Sequence, residues 1–239
     1  MKYFATLAFA LLISGAAFSQ LGINATYRTN DAQDWQYTGA GQADQNLLPE
    51  SSYAFGLDYW IPLKSVRIDL VPELSFSRMS NTIEVGNEVV TSEANLDNTW
   101  LSLFLNTNFY FLNLEGDCDC PTFSKSGGTL QKGFFLQVSP GITWMRNQAE
   151  TSENQSDSNN FAYSLGAGLG LDIGLSDILT LTPFAGFRYY LPVQWKNLDI
   201  LQYPLLPIDP GGENRVRNEE SSVRQFFLGL RFGVRFDQR

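Results

Sequence analysis

The sequence predicts an all-β fold: an eight-stranded antiparallel up-and-down transmembrane β-barrel preceded by a cleaved signal peptide. Three observations point there. The chain opens with a short apolar leader, and no later segment is apolar for long enough to cross a membrane as a helix. After the leader, the hydrophobic period is two rather than 3.6. The connections between the alternating segments are short and long in turn, the rhythm of a barrel with tight turns at one rim and loops at the other.

Composition narrows the chemistry. The 239 residues include 18 Phe, 10 Tyr, 5 Trp and 20 Gly, but only 2 Cys and no His. Without histidine there is no Ser-His-Asp or Cys-His catalysis and no His-containing zinc site. Two cysteines cannot build a disulfide framework or a thiolate-only zinc site. A net charge of -9 argues against nucleic acid, whose phosphates need clustered Lys and Arg. The expectation is a protein that is not an enzyme and holds no cofactor and no metal.

Residues 1–19 are read as the signal peptide, leaving 20–239 as the barrel domain. Lys2 gives the positive start, Phe4 to Ile13 the apolar run, and Ala17-Phe18-Ser19 the small-x-small cleavage site. Segment one is Leu21 to Tyr27 and segment two Tyr53 to Ile61, with Tyr53, Phe55, Leu57, Tyr59 and Ile61 on one face. Segment three, Val66 to Phe76, sets Ile68, Leu70, Pro72, Leu74 and Phe76 against Arg67, Asp69, Val71 and Glu73. Segment four is Leu101 to Phe111 and segment five Phe134 to Trp144. Segment six, Phe161 to Ile173, alternates Tyr163, Leu165, Ala167 and Leu169 with Ser164, Gly166, Gly168 and Gly170. Segments seven and eight are Leu179 to Leu191 and Phe226 to Phe236. Their length suits tilted membrane strands, which need about 9–11 residues.

No charge falls on the apolar faces, where Thr107 is the clearly polar exception. The opposite faces carry Asp58, Arg67, Asp69, Glu73, Asp172, Arg188, Arg231 and Arg235, four of each sign. An eight-stranded interior is just wide enough for side chains. The charges therefore belong inside as a paired network, and the apolar faces belong against lipid. Aromatics on the apolar faces form two expected girdles: Tyr27, Tyr53, Trp144, Tyr163 and Tyr189 at the long-loop rim, and Tyr59, Phe109, Phe111, Phe134 and Phe236 at the short-turn rim. Pro72, Pro140 and Pro183 lie mid-segment on the same faces, where local bulges or missing ladder bonds are expected.

Short turns join segments two to three (62–65) and six to seven (174–178). Long polar loops are expected at 28–52, 77–100, 145–160 and 192–225, with acidic residues in excess. The connection from Leu112 to Gly133 falls on the short-turn side yet is long, and it carries Cys118 and Cys120. Redox pairing, a structural role and soft-metal capture all remain open for these thiols. Loop 192–225 holds Trp195, Leu198, Ile200, Leu201, Tyr203, Leu205, Leu206 and Ile208 among prolines, so it is expected to act as a lid or as a partner surface.

The leader ending AAFSQ, the segments SPGITW (139–144) and TPFAGFRYYLP (182–192), and the last strand FFLGLRFGVRF (226–236) resemble the small eight-stranded outer-membrane barrel proteins of Bacteroidota, the OmpA-like and PorT-like family. The resemblance covers about 20–239. It implies an integral outer-membrane location with both termini periplasmic, and handling by the barrel-assembly machinery, although Asp237, Gln238 and Arg239 follow the terminal aromatic Phe236. Outer-membrane lipid is the expected surround. Three roles follow: a structural, anchoring or partner-docking barrel with a plugged lumen, a narrow pore or ion channel, or an accessory barrel of an envelope or secretion complex.

Overall fold

The computed structural model describes residues 20–39, 43–63, 67–86, 91–113, 133–176, 178–201 and 215–235. The leader, both cysteines and Phe236 lie outside the described residues. Eight long strands run in chain order: β1 (Gln20–Asp31), β2 (Ser51–Pro62), β3 (Ile68–Gly86), β4 (Thr91–Phe109), β5 (Phe134–Glu150), β6 (Gln155–Leu171), β7 (Leu179–Gln194) and β8 (Glu220–Arg235). Each pairs antiparallel with the next. β8 returns to β1 from Gln20↔Arg235 to Asp31↔Arg224, so the sheet closes on itself. Closure leaves the eight-stranded ring without a free edge strand.

Side chains alternate strictly. On β1, Leu21, Ile23 and Tyr27 are exposed outward while Asn24, Thr26, Arg28 and Asn30 are buried inward. The same holds around the wall: Leu57, Phe76, Leu103, Leu136, Leu165, Leu228 and Phe232 face out, and Asp58, Ser75, Ser102, Gln137 and Arg231 face in. This is the inverse of a soluble protein, with apolar residues outside and charges inside.

Each mid-strand proline interrupts one ladder and leaves the other intact. Pro72 pairs with Leu105 on β4, but the β2–β3 ladder has a gap between Asp58↔Glu73 and Ile61↔Leu70. Pro140 pairs with Leu165 on β6, while the β4–β5 ladder has a gap between Phe104↔Gly141 and Thr107↔Val138. Pro183 pairs with Leu230 on β8, and its β6 side has a gap between Phe184↔Gly170 and Leu181↔Ile173. A missing N–H removes bonding toward one neighbour only.

Two expected loops are strands instead. β3 and β4 stay paired up to Gly86↔Thr91, and β5 and β6 up to Glu150↔Gln155. Residues 77–86, 91–100, 145–150 and 155–160 therefore form a four-stranded blade above the apolar belt. The reason is that period two persists there with reversed polarity. Met79, Ile83, Val85, Leu96, Trp100 and Met145 point inward and are buried, while Arg78, Ser80, Glu93, Asn95 and Arg146 point out. Segment one also runs past Tyr27 to Asp31, which brings Arg28 into the lumen. Within the loop expected at 28–52, Gln36–Thr38 and Gln45–Asn46 form a small sheet with Arg215–Val216 from the last connection.

The glycines of the inner wall make room for rings. A Cβ at Gly141 would run into the Phe104 ring, which is itself pinned by Arg188 at 3.4 Å from its centroid. Gly141→Val is expected to cost roughly 1–3 kcal/mol through overpacking, read as a lower urea midpoint of the folded barrel in detergent.

Candidate functional site: the lumen and its cap

The lumen is built in layers. At the short-turn end the Tyr110 hydroxyl donates to Asp172 Oδ2 at 2.6 Å and lies 3.0 Å from Asp69 Oδ2. Thr182 donates to the other oxygen of Asp172. Arg67 sits in the bend before β3, half-buried, and its backbone carbonyl accepts from Tyr110 N–H.

One layer higher, Arg231 on β8 is wholly buried. Its Nε donates to Asp58 Oδ2 at 2.8 Å and its Nη2 to Asp58 Oδ1 at 3.3 Å, and Nη2 lies 3.8 Å from Glu73 Oε2. Asn24 adds a bond to Asp58 at 2.8 Å, and Asn106 one to Glu73 at 2.7 Å. The Trp60 and Phe184 rings lie 5.5 and 5.0 Å from the guanidinium carbon, so aromatic faces also meet the cation.

The third layer holds Arg188 and Arg28. Arg188 lies over Phe104 and 5.0 Å from Phe227, with Ser139 Oγ 3.5 Å from Nη2. Arg28 donates to Thr26 and Ser75 hydroxyls at 3.1 and 2.7 Å. Neither makes an ion pair among the described residues. Of the eight expected lumen charges, Asp58, Glu73 and Arg231 form one cluster, Asp69 and Asp172 a second around Tyr110, and Arg188 stands apart on aromatics. The Arg235 side chain is outside the described set.

Above the charges the filling turns apolar. Trp100 and Tyr190 pack at a 60° tilt with ring centroids 5.5 Å apart, and Trp100 Nε1 donates to Asn147 at 3.2 Å. Met79, Met145 and Ala162 join the same buried cluster. The cluster continues into a cap where Trp35 and Trp195 meet edge to face at 5.4 Å, packed with Tyr37, Leu47, Leu48, Leu198, Leu201 and Val216. Ile200 packs against it, partly buried. The cap is tied by its backbone: Trp195 N–H donates to Glu219 O at 2.7 Å, and Trp35 Nε1 donates to the same oxygen at 3.0 Å. Burial raises the Tyr37 phenol above its ordinary pKa, opposed by the Gly86 N–H that it accepts. Tyr203, Leu205, Leu206 and Ile208 lie outside the described residues.

The cap also clasps the exposed edges of the blade. Gln45 donates to Glu84 O at 2.8 Å and accepts from Glu84 N–H at 3.0 Å, copying a ladder pair on the β3 edge. On the β6 edge, Asn160 donates to Gln194 O and Lys196 N–H donates to Ser158. Side-chain amides thus close edges that would otherwise invite another strand.

On the outside, Tyr27 and Tyr53 touch with centroids 5.5 Å apart, while Tyr163 is exposed and Trp144 and Tyr189 are half-exposed on their own strands. Phe111 and Phe134 touch with centroids 5.6 Å apart, and Phe109 is exposed and Tyr59 half-exposed. Sequence reasoning missed Arg28 and half of the cap. The available signal is Trp35, Tyr37, Leu47 and Leu48, four large apolar residues in an otherwise largely polar stretch.

No family model matches the chain, and no curated protein sequence does. Among solved structures, it is similar to the attachment invasion locus protein of Yersinia pestis, with 12% identity, TM-score 0.45, 91% of this chain and 99% of that one covered. It is also similar to the outer membrane protein OprG from Pseudomonas aeruginosa, with 13% identity, TM-score 0.47 and coverage of 94% and 98%. Neisserial surface protein A aligns at 11% identity and TM-score 0.42, with 91% and 97% covered.

Proposed function

We propose that this chain is an integral outer-membrane barrel with periplasmic termini and a closed lumen, whose work is structural: it anchors and presents a rigid extracellular blade and cap to a partner in the envelope. The carrying observation is the inversion of polarity. Arg231 is fully buried inside, while Ile23, Phe55, Tyr163 and Leu228 are each more than 60% exposed on the outside. An apolar belt of that extent is far larger than the few hundred Å² a soluble monomer exposes, and lipid is the surround that satisfies it.

The structural role follows from the filling. Paired charges, cation-aromatic stacks and an apolar plug succeed one another along the axis, and the Trp35–Trp195 contact seals the top. The PorT-like resemblance supports a docking partner within envelope or secretion assembly. Reconstituted protein is expected to give no stable conductance in planar bilayers. Unboiled and boiled samples are expected to migrate differently on a denaturing gel, because a closed barrel resists unfolding in detergent. A steady porin-sized current would overturn the closed lumen, and identical migration with helical circular dichroism would overturn the barrel.

A further inference from the structure

Just above the upper aromatics, β1, the start of β2 and β8 enclose an open cleft of about 470 Å³ on the outer wall. Its lower side is Tyr27 and Phe226, both exposed. Its upper side carries Asp31, Glu50 and Arg224, also exposed. Asp31 and Arg224 face each other in the β1–β8 register, yet among the described residues they form no ion pair and the Arg224 guanidinium makes no hydrogen bond. The Glu50 carboxylate accepts from the Asn46 amide at 3.3 Å, its one side-chain hydrogen bond among the described residues. Opposite charges are thus held on one cleft with rings beneath them, at the level where the apolar belt gives way to polar wall.

We propose that this cleft seats a zwitterionic lipid headgroup of the phosphoethanolamine type. The phosphate pairs with Arg224, the ammonium donates to Asp31 and Glu50, and the lipid backbone lies on Tyr27 and Phe226. Guanidinium-phosphate pairing is charge-assisted and directional, and rings at headgroup level suit the amphipathic part of a lipid. Two carboxylates beside one cation disfavour a purely anionic headgroup. A choline headgroup has no N–H to give them. The inference rests on the outer-membrane reading.

The test is native mass spectrometry of the full chain folded in detergent and given phosphatidylethanolamine, phosphatidylglycerol or phosphatidylcholine. A glycolipid bearing phosphoethanolamine and soluble glycerophosphoethanolamine form two further arms. Phosphatidylethanolamine is expected to be retained roughly tenfold better than the other two phospholipids, with the preference lost in Arg224→Gln. Asp31→Asn with Glu50→Gln is expected to move the preference toward phosphatidylglycerol. Stronger retention of the glycolipid than of the phospholipid assigns the headgroup to the outer-leaflet glycolipid, and the reverse assigns it to phospholipid. Binding of the soluble headgroup as tight as that of the lipid would overturn a lipid site. Equal retention of all three phospholipids, or an unchanged preference in Arg224→Gln, overturns the headgroup site. If the protein still inserts into vesicles of phosphatidylcholine alone, the membrane reading survives that failure. If it inserts into none, both fall. All three side chains are exposed, and gel mobility checks that each variant is folded.

Discussion

Arg231→Ala is expected to lower the stability of the folded barrel by about 3–5 kcal/mol, the cost of leaving a buried charge without its partner. Arg231 serves two carboxylates at once, Asp58 through two bonds and Glu73 at 3.8 Å. Both carboxylates keep amide donors, Asn24 and Asn106, so some solvation of charge survives. Arg231→Lys keeps the charge but cannot reproduce the forked contact with Asp58, so a smaller loss is expected. Combining Arg231→Met with Asp58→Asn and Glu73→Gln removes the charges together and should recover most of the loss, because an uncharged, well-packed replacement of a buried ion cluster is often neutral. Urea unfolding of protein folded in micelles measures all three. A loss under about 1 kcal/mol for Arg231→Ala would mean that water reaches this layer, and the closed lumen would have to be abandoned.

The belt was legible because one rule governs it. From Tyr53 to Ile61 or Phe226 to Phe236, apolar residues recur every second position and the charges fall between them. Above the belt the same period continues with the faces exchanged, as at Met79, Ile83 and Val85 against Ser80, Thr82 and Glu84. A search for apolar-out strands reads that stretch as polar loop, although local spacing still favours a strand. Arg28 was lost for the related reason that the apolar face of β1 ends at Tyr27 while the strand does not. The prolines were legible as irregularities, but which ladder each one breaks depends on the direction of a missing N–H, which only the register fixes. The charge network was legible as a set and not as pairs. Nothing in the sequence separates Arg231, held by two carboxylates, from Arg188, which lies on Phe104.

The cap was hardest to read because its halves are far apart in the chain. Trp35 and Trp195 come from the first and last connections and meet only when β8 closes onto β1. Replacing Trp35 and Trp195 by Ala together is expected to cost the cap more than either change alone, with each single truncation of a buried ring worth about 3–5 kcal/mol. Nearly all of that loss should stay local. The cap core draws on Leu47, Leu48, Leu198 and Leu201, whereas the belt below is held by its own closed ladders. Hydrogen exchange is therefore expected to accelerate at the amides of Trp195 and Leu47, both bonded within the cap, and to stay slow at Gly56 and Leu103 in the belt. Heat-dependent gel mobility should be unchanged. With the seal loosened, the Gln45 and Asn160 clasps lose their anchorage, and the edges of β3 and β6 above the belt become open to strand pairing. Concentration-dependent oligomers are then expected in the double variant and not in the parent. A double variant whose cap amides remain protected would show that the Trp35–Trp195 contact does not hold the lid, and that the covering of the lumen depends on the strands alone.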